Sequence, residues 1–391
     1  MKKICFVIQR YGREVNGGAE TLCRELAERM CSLYEVEVLT TKAVDYMTWK
    51  NEYKENDEMI SGVHVRRFSV NKERHRTRFN IINRVFMEGL LPRALEGKWL
   101  IEQGPYVPSL TQYIREHKDD YAVFIFVTYL YYPTVVGIEE APDKAIVLPL
   151  AHDEPFLKMK IFEPLFTKPR AFLFETEEER DLVRTRFQCE NIPYLLGGSG
   201  VDAPEAVNGD AFKKKYGLDN YVIYAGRIDD GKNCPELFDF FLRFKKSHGG
   251  NLKLVLLGKT VIDIPKSEDI VALGFVSEQD KFEGIAGSAA LIMPSKFESL
   301  SIVVLEAFSV GRPVIVNGEC AVLKGHCDKC GGGFYYTDYD SFDEKLSNLL
   351  ADKKLQSEMG ERGKKYVSER FSWDRICANL AKLIELASEP G

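Results

Sequence analysis

The sequence predicts an α/β fold made of two doubly wound, Rossmann-like domains. Three observations carry this expectation. Short apolar runs alternate with amphipathic segments, the alternation stops at a polar break, and beyond the break it begins again. A chain of 391 residues is long enough for two domains, each with its own core.

The first run, Ile4-Cys-Phe-Val-Ile8, is continuous, as in a strand buried on both faces. Gln9-Arg10 ends it too early for the apolar region of a secretory leader. Gly12, Gly17 and Gly18 mark a loop, and Leu22, Leu26, Met30 and Leu33 form one helical stripe. Further strands are expected at 36–40, 123–127, 145–150, 171–174 and 193–196. Gly197-Gly-Ser-Gly200 and the polar segment 202–217, with its Lys213-Lys-Lys215 run, read as a linker entering a short helix. Strands resume at 221–225, 252–257, 270–273, 289–293 and 314–316. Phe371-Ser-Trp373 opens a last amphipathic helix carrying Ile376, Leu380, Leu383 and Ile384. The division expected is 1–200 and 201–372, followed by the helix 373–391, with a central cleft that the two domains face.

A net charge of −6 argues against bulk nucleic-acid binding. Residues 121–138 carry no charge, yet four tyrosines, Pro133 and Gly137 suit a buried strand running into a loop better than a lipid-facing helix. Nine cysteines without framework spacing point to a reducing, cytoplasmic location. Cys320, Cys327 and Cys330, beside His326, contain one Cys-x-x-Cys where a structural zinc usually has two, so free thiols in a loop and no metal are expected. Segment 66–93 holds eight Lys/Arg against two acids, with Phe79, Ile82, Phe86 and Leu90 at helical spacing. Two readings stay open for it: a basic amphipathic helix in peripheral contact with the inner membrane face, or a solvated helix packed on the core.

Ligands of doubly wound sheets bind at the carboxyl ends of strands, and four groups are expected there. Asn16-Gly-Gly-Ala-Glu20 lies between strand and helix, but matches neither the dinucleotide nor the P-loop glycine pattern. Gly226-Arg227 and Lys232 follow a strand, with Asn233 as helix cap and Glu236 at the capping-box position. Two cations at a helix start oppose the helix dipole unless a diphosphate sits between them. His152-Asp153-Glu154 ends another strand, where an imidazole could orient a reacting hydroxyl. Glu298 and Glu306 flank a helix start for which Ser301 is the expected N-cap. Free amides between two carboxylates suit a phosphate between two polyols. Tyr129, Tyr131 and Tyr132 offer a platform for a sugar ring, with packing as the alternative. Asp340 is expected to cap a helix opening at Ser341, not to bind metal.

Taken in series, Gly17-Gly-Ala-Glu20, His152-Asp153, Gly198-Ser-Gly-Val-Asp202, Gly226-Arg-Ile-Asp-Asp-Gly-Lys-Asn233 and Glu298-x7-Glu306 with Gly311-Arg-Pro-Val resemble the family 4 retaining glycosyltransferases of the GT-B fold. The resemblance implies that Arg227 and Lys232 grip the diphosphate of a nucleotide sugar, UDP- or GDP-linked. It gives Glu306 the ribose hydroxyls, Glu298 the transferred sugar, and the backbone of Ser301 and Ile302 the phosphates. Gly17 and Gly18 would admit the diphosphate, His152 would lie beside the reacting sugar, and Phe275-Val276 would meet the base. The first domain would bind a glycan or lipid-linked acceptor, the last helix would cross back to it, and no metal or cofactor would be needed. Relatives often carry glycine inside the Glu-x7-Glu loop, where this chain has Leu300-Ser301.

Three other readings compete. An epimerase or hydrolase would use the same diphosphate grip, and a carbohydrate-binding protein would use no catalysis. A nicotinamide oxidoreductase lacks support, because the glycine fingerprint and an acidic end to the second strand are both missing.

Overall fold

The computed structural model describes residues 1–15, 17–88 and 92–389. The chain divides into two compact units, Met1–Ser199 with Asp374–Gly391, and Gly200–Trp373.

In the first unit, eight strands form one sheet: β1 (Lys3–Val7), β2 (Glu35–Thr41), β3 (Asp57–Ile60), β4 (Val63–Phe68), β5 (Val123–Val127), β6 (Ala145–Leu148), β7 (Ala171–Phe174) and β8 (Tyr194–Leu196). Their order is β3-β4-β2-β1-β5-β6-β7-β8. All pairs are parallel except β3–β4, a hairpin closed by Ser61 and Gly62, both at positive φ. The central strands are apolar runs because helices cover both faces. Ile4 to Val7 and Val123 to Val127 have no exposed surface. Leu22, Leu26 and Met30 of the helix Gly18–Met30 pack inward, whereas Leu33 lies beyond the helix and is 52% exposed, against the expected stripe. The uncharged segment 121–138 supplies β5 and then a helix, Tyr132–Gly137, in place of the expected loop. No helix among the described residues is long and apolar enough to cross a membrane.

The second unit has a six-stranded parallel sheet: β9 (Tyr221–Ala225), β10 (Lys253–Leu257), β11 (Ile270–Gly274), β12 (Leu291–Met293), β13 (Val314–Asn317) and β14 (Gly333–Tyr336). The order is β11-β10-β9-β12-β13-β14. Strand order reverses between β9 and β12, so the loops leaving these two strands border an open crevice. The core runs through Tyr224, Phe241, Leu256, Ile292, Leu305 and Ile315.

Three expected caps are corrected. The helix Cys234–His248 follows Asn233 in left-handed conformation (φ 57°), and the Asn233 amide donates to the Pro294 carbonyl at 3.2 Å instead of capping. Glu236 closes no capping box; it accepts from the Asn317 amide at 3.2 Å. Asp338, not Asp340, caps the helix Tyr339–Ala351, in a reciprocal box with Ser341.

Candidate functional site

The second unit gathers its candidates at the strand-order switch. Arg227 and Lys232 leave β9, and Glu298 leaves β12. Lys232 Nζ donates to Glu298 Oε1 at 2.6 Å, and the Arg227 guanidinium pairs with Asp229. Asp229 in turn accepts from the Lys232 backbone N–H at 2.9 Å, which fixes the turn that carries both cations. This answers the electrostatic objection to two cations near a helix start, since each has its own carboxylate.

Ser301 precedes the helix Ile302–Ser309 at φ 67°, in the left-handed region that favours glycine. Its side chain makes no cap bond and its buried hydroxyl has no partner, so the expected N-cap is corrected. The first amides of that helix, Ile302 and Val303, have no acceptor within it and remain available to an anion. Glu306 is buried and accepts from Lys281 Nζ at 2.6 Å. Burial raises its carboxyl pKa, and Lys281 opposes the rise. Phe275 is 76% exposed just beyond β11, with Val276 half-buried beside it.

Close backbone approach builds this end of the sheet. Gly258, at φ 122°, lies so near Gly226 that a Cβ there would stand 2.1 Å from the Gly226 carbonyl oxygen. Sequence reading missed Gly258, Asp229 and Lys281. Asp229 lies inside the Gly226–Asn233 motif but had no role assigned to it, whereas the strand end of Gly258 and the helix of Lys281 show no motif of their own.

In the first unit, Gly17 starts the helix Gly18–Met30 without a side-chain cap. A Cβ at Gly17 would meet Glu20 Oε2 at 2.2 Å, whereas one at Gly18 would meet nothing within 4 Å. Glu20 accepts from Gln9 Nε2 and Arg10 Nε, each at 2.9 Å, so the glycine turn is pinned from inside. Asn16 lies outside the described residues.

His152 follows β6, with Nδ1 3.4 Å from Glu154 Oε1. Glu154 also accepts from the Tyr129 hydroxyl. Tyr129 is therefore core and tether, not platform, at 1% exposure. The His152 loop is clamped by Glu179, which accepts from the Ala151 and Glu175 amides at 2.7 Å each. Burial and the charge of Glu175 hold the Glu179 carboxyl well above the usual range. At the carboxyl end of this sheet, Tyr46, Arg74, Phe79, Asn83, Gln103 and Tyr131 help to line a cavity of ≈ 330 Å³.

The basic segment does not form one basic face. Arg66 and Arg67 belong to β4 and pair with Glu37 and Glu58 at 2.9 and 2.8 Å, and Lys72 pairs with Glu102 at 2.5 Å. Phe79, Ile82 and Phe86 of the helix Arg76–Met87 pack on the core, while Leu90 lies outside the described residues. All nine cysteines are free. Cys327 and Cys330 sit on the helix Ala321–Cys330, not in a loop, and no metal-binding cluster occurs among the described residues.

Residues 209–366 match the family described as "Glycosyl transferases group 1". An uncharacterized glycosyltransferase of Methanocaldococcus jannaschii is 24% identical over 46% of this chain and 48% of its own. The capsular polysaccharide biosynthesis glycosyltransferase CapM of Staphylococcus aureus is 29% identical over 42% of this chain and 46% of its own. The chain thus spans about half the length of the curated relatives it matches. Among solved structures, Anabaena HepE in complex with UDP and glucose aligns with a TM-score of 0.71 at 13% identity, over 98% of this chain and 100% of HepE. At that identity the likeness shows the fold, which is GT-B. The family match thus places a group 1 glycosyltransferase domain at residues 209–366, within the second unit.

Proposed function

We propose that the protein transfers a sugar from a UDP- or GDP-linked donor to a glycan or glycolipid acceptor, with retained anomeric configuration and without a divalent cation. One observation carries this reading: Arg227, Lys232, Glu298 and the open amides of the helix Ile302–Ser309 meet at the switch of a parallel sheet. Two cations and a helix N-terminus supply the charge that a departing diphosphate needs. Each charge-assisted contact contributes about 1.5–3 kcal/mol.

Glu306 accepts hydroxyls of the ribose, and exposed Phe275 stacks on the base. Glu298 is engaged by Lys232, which suits a hydrogen-bonding partner for the sugar better than a free nucleophile. Front-face attack follows, with the leaving phosphate taking the acceptor proton. His152, whose Nδ1 is 3.4 Å from Glu154 Oε1, is assigned to the reacting sugar. The first-unit cavity pairs aromatic rings with Arg74 and side-chain amides, the chemistry that binds sugar hydroxyls and faces, and is assigned to the acceptor. CapM, by name, acts in capsular polysaccharide biosynthesis, which supports a cell-surface glycan as product.

The test is incubation with a panel of nucleotide sugars without acceptor, in the presence of EDTA, read by mass spectrometry. Slow nucleoside-diphosphate release, abolished in Glu298→Ala, is expected. An isomerised nucleotide sugar would replace the transferase reading with an epimerase.

A further inference from the structure

The switch-point loop is also held from behind. His326, on the helix Ala321–Cys330, is 1% exposed. Its Nε2 lies 2.8 Å from the Leu300 carbonyl oxygen, and its Nδ1 lies 3.0 Å from the Tyr366 hydroxyl on the helix Lys353–Arg370. A carbonyl only accepts, so the proton belongs on Nε2, and Nδ1 then accepts from Tyr366. Burial lowers the imidazole pKa to about 4, so the ring is neutral and this tautomer persists. The rings of Tyr366 and Phe371 stand edge-on to it, at 5.9 and 6.0 Å.

The bonded carbonyl belongs to the peptide joining Leu300 to Ser301. That peptide's orientation helps to set the left-handed φ of Ser301, a conformation that a residue with a Cβ does not choose unaided. Glu298 stands two residues before it, and the open amides of Ile302 and Val303 follow directly.

We infer that His326, fixed by Tyr366, is a positioning residue for donor binding. It locks the Leu300–Ser301 peptide so that Glu298 and the first helical amides are preset before the donor arrives. The loop half of this inference stands on the contacts alone, while the donor half rests on the proposed function.

Hydrogen exchange of the segment 297–303, measured without ligand, tests the loop half. Titration with UDP and GDP tests the donor half. His326→Phe keeps an apolar ring but removes the donor, and it should speed exchange in this segment and weaken nucleotide binding, each by roughly tenfold. His326→Gln, whose amide N–H can reach the carbonyl, should restore most of both. Tyr366→Phe removes one hydroxyl, should fall between them, and serves where His326→Phe does not fold. Unchanged exchange in these variants would overturn the relay, whatever the nucleotide does. Faster exchange with undiminished binding would overturn the donor half. Faster exchange in a protein that binds no nucleotide at all would leave the loop lock standing and remove the proposed function.

Discussion

Lys232 and Glu298 hold each other at 2.6 Å across the switch of the second sheet, so the cation assigned to the diphosphate already carries the carboxylate assigned to the sugar. Donor binding must therefore share or replace this pair. Glu298→Gln should leave affinity for UDP or GDP unchanged or raised, because Lys232 is released to the phosphates, while sugar transfer falls at least a hundredfold. Lys232→Ala should weaken nucleotide binding by roughly 10- to 100-fold, the worth of one charge-assisted contact. Calorimetric titration beside a turnover assay separates the two.

Lys281 is the counterpart of buried Glu306 at 2.6 Å. In Lys281→Met the carboxyl loses the cation that opposes its upward pKa shift, and its folded pKa rises further above the unfolded value. The folded state then binds the proton more tightly, so stability is retained below the unfolded carboxylate pKa and lost as pH rises from there through the raised folded pKa. Chemical denaturation should show a deficit of about 3 kcal/mol at pH 8 that shrinks at pH 5.

His326 gives the opposite slope. Burial depresses its pKa from 6.5 to about 4, so the unfolded chain takes up a proton that the folded chain refuses. Stability is intact above pH 6.5 and is lost as pH falls toward 4, by an amount on the order of 3 kcal/mol. Denaturation curves of wild type and His326→Gln between pH 7 and 4 should differ by this increment.

Gly258→Ala places a Cβ 2.1 Å from the Gly226 carbonyl oxygen, a backbone atom that has no side-chain rotation by which to move aside. The ends of β9 and β10 must part, which should destabilise the protein by about 1–3 kcal/mol. Because Arg227 follows directly, nucleotide affinity should fall as well, measurable by titration at a temperature where the variant is folded.

Much of the fold is legible because parallel strands covered by helices must be apolar throughout, as in Ile4-Cys-Phe-Val and Tyr221-Val-Ile-Tyr-Ala. The hairpin β3–β4 was harder to see, since its edge strand begins Asp57-Glu58 with both side chains exposed. Ser61-Gly62 was the available signal, a two-residue turn needing positive φ twice. The positions of Arg227, Lys232, Glu298 and Glu306 after β9 and β12 were legible because strand–loop–helix junctions show in the sequence. Their partners were not. Lys281 lies 25 residues from Glu306, and His326 lies 26 from Leu300, with no periodicity linking them. The caps at Asn233 and Ser301 misled for a shared reason. Both residues adopt left-handed backbone, which takes their side chains out of capping geometry.

The most direct test of the account is isothermal titration of UDP and GDP into wild type and into Arg227→Ala/Lys232→Ala. The account predicts that one nucleotide binds the wild type without added metal, and that the double variant, folded by circular dichroism, loses at least a hundredfold in affinity. Equal affinity in both proteins would contradict it, because the switch of the second sheet would then not be where the diphosphate is held.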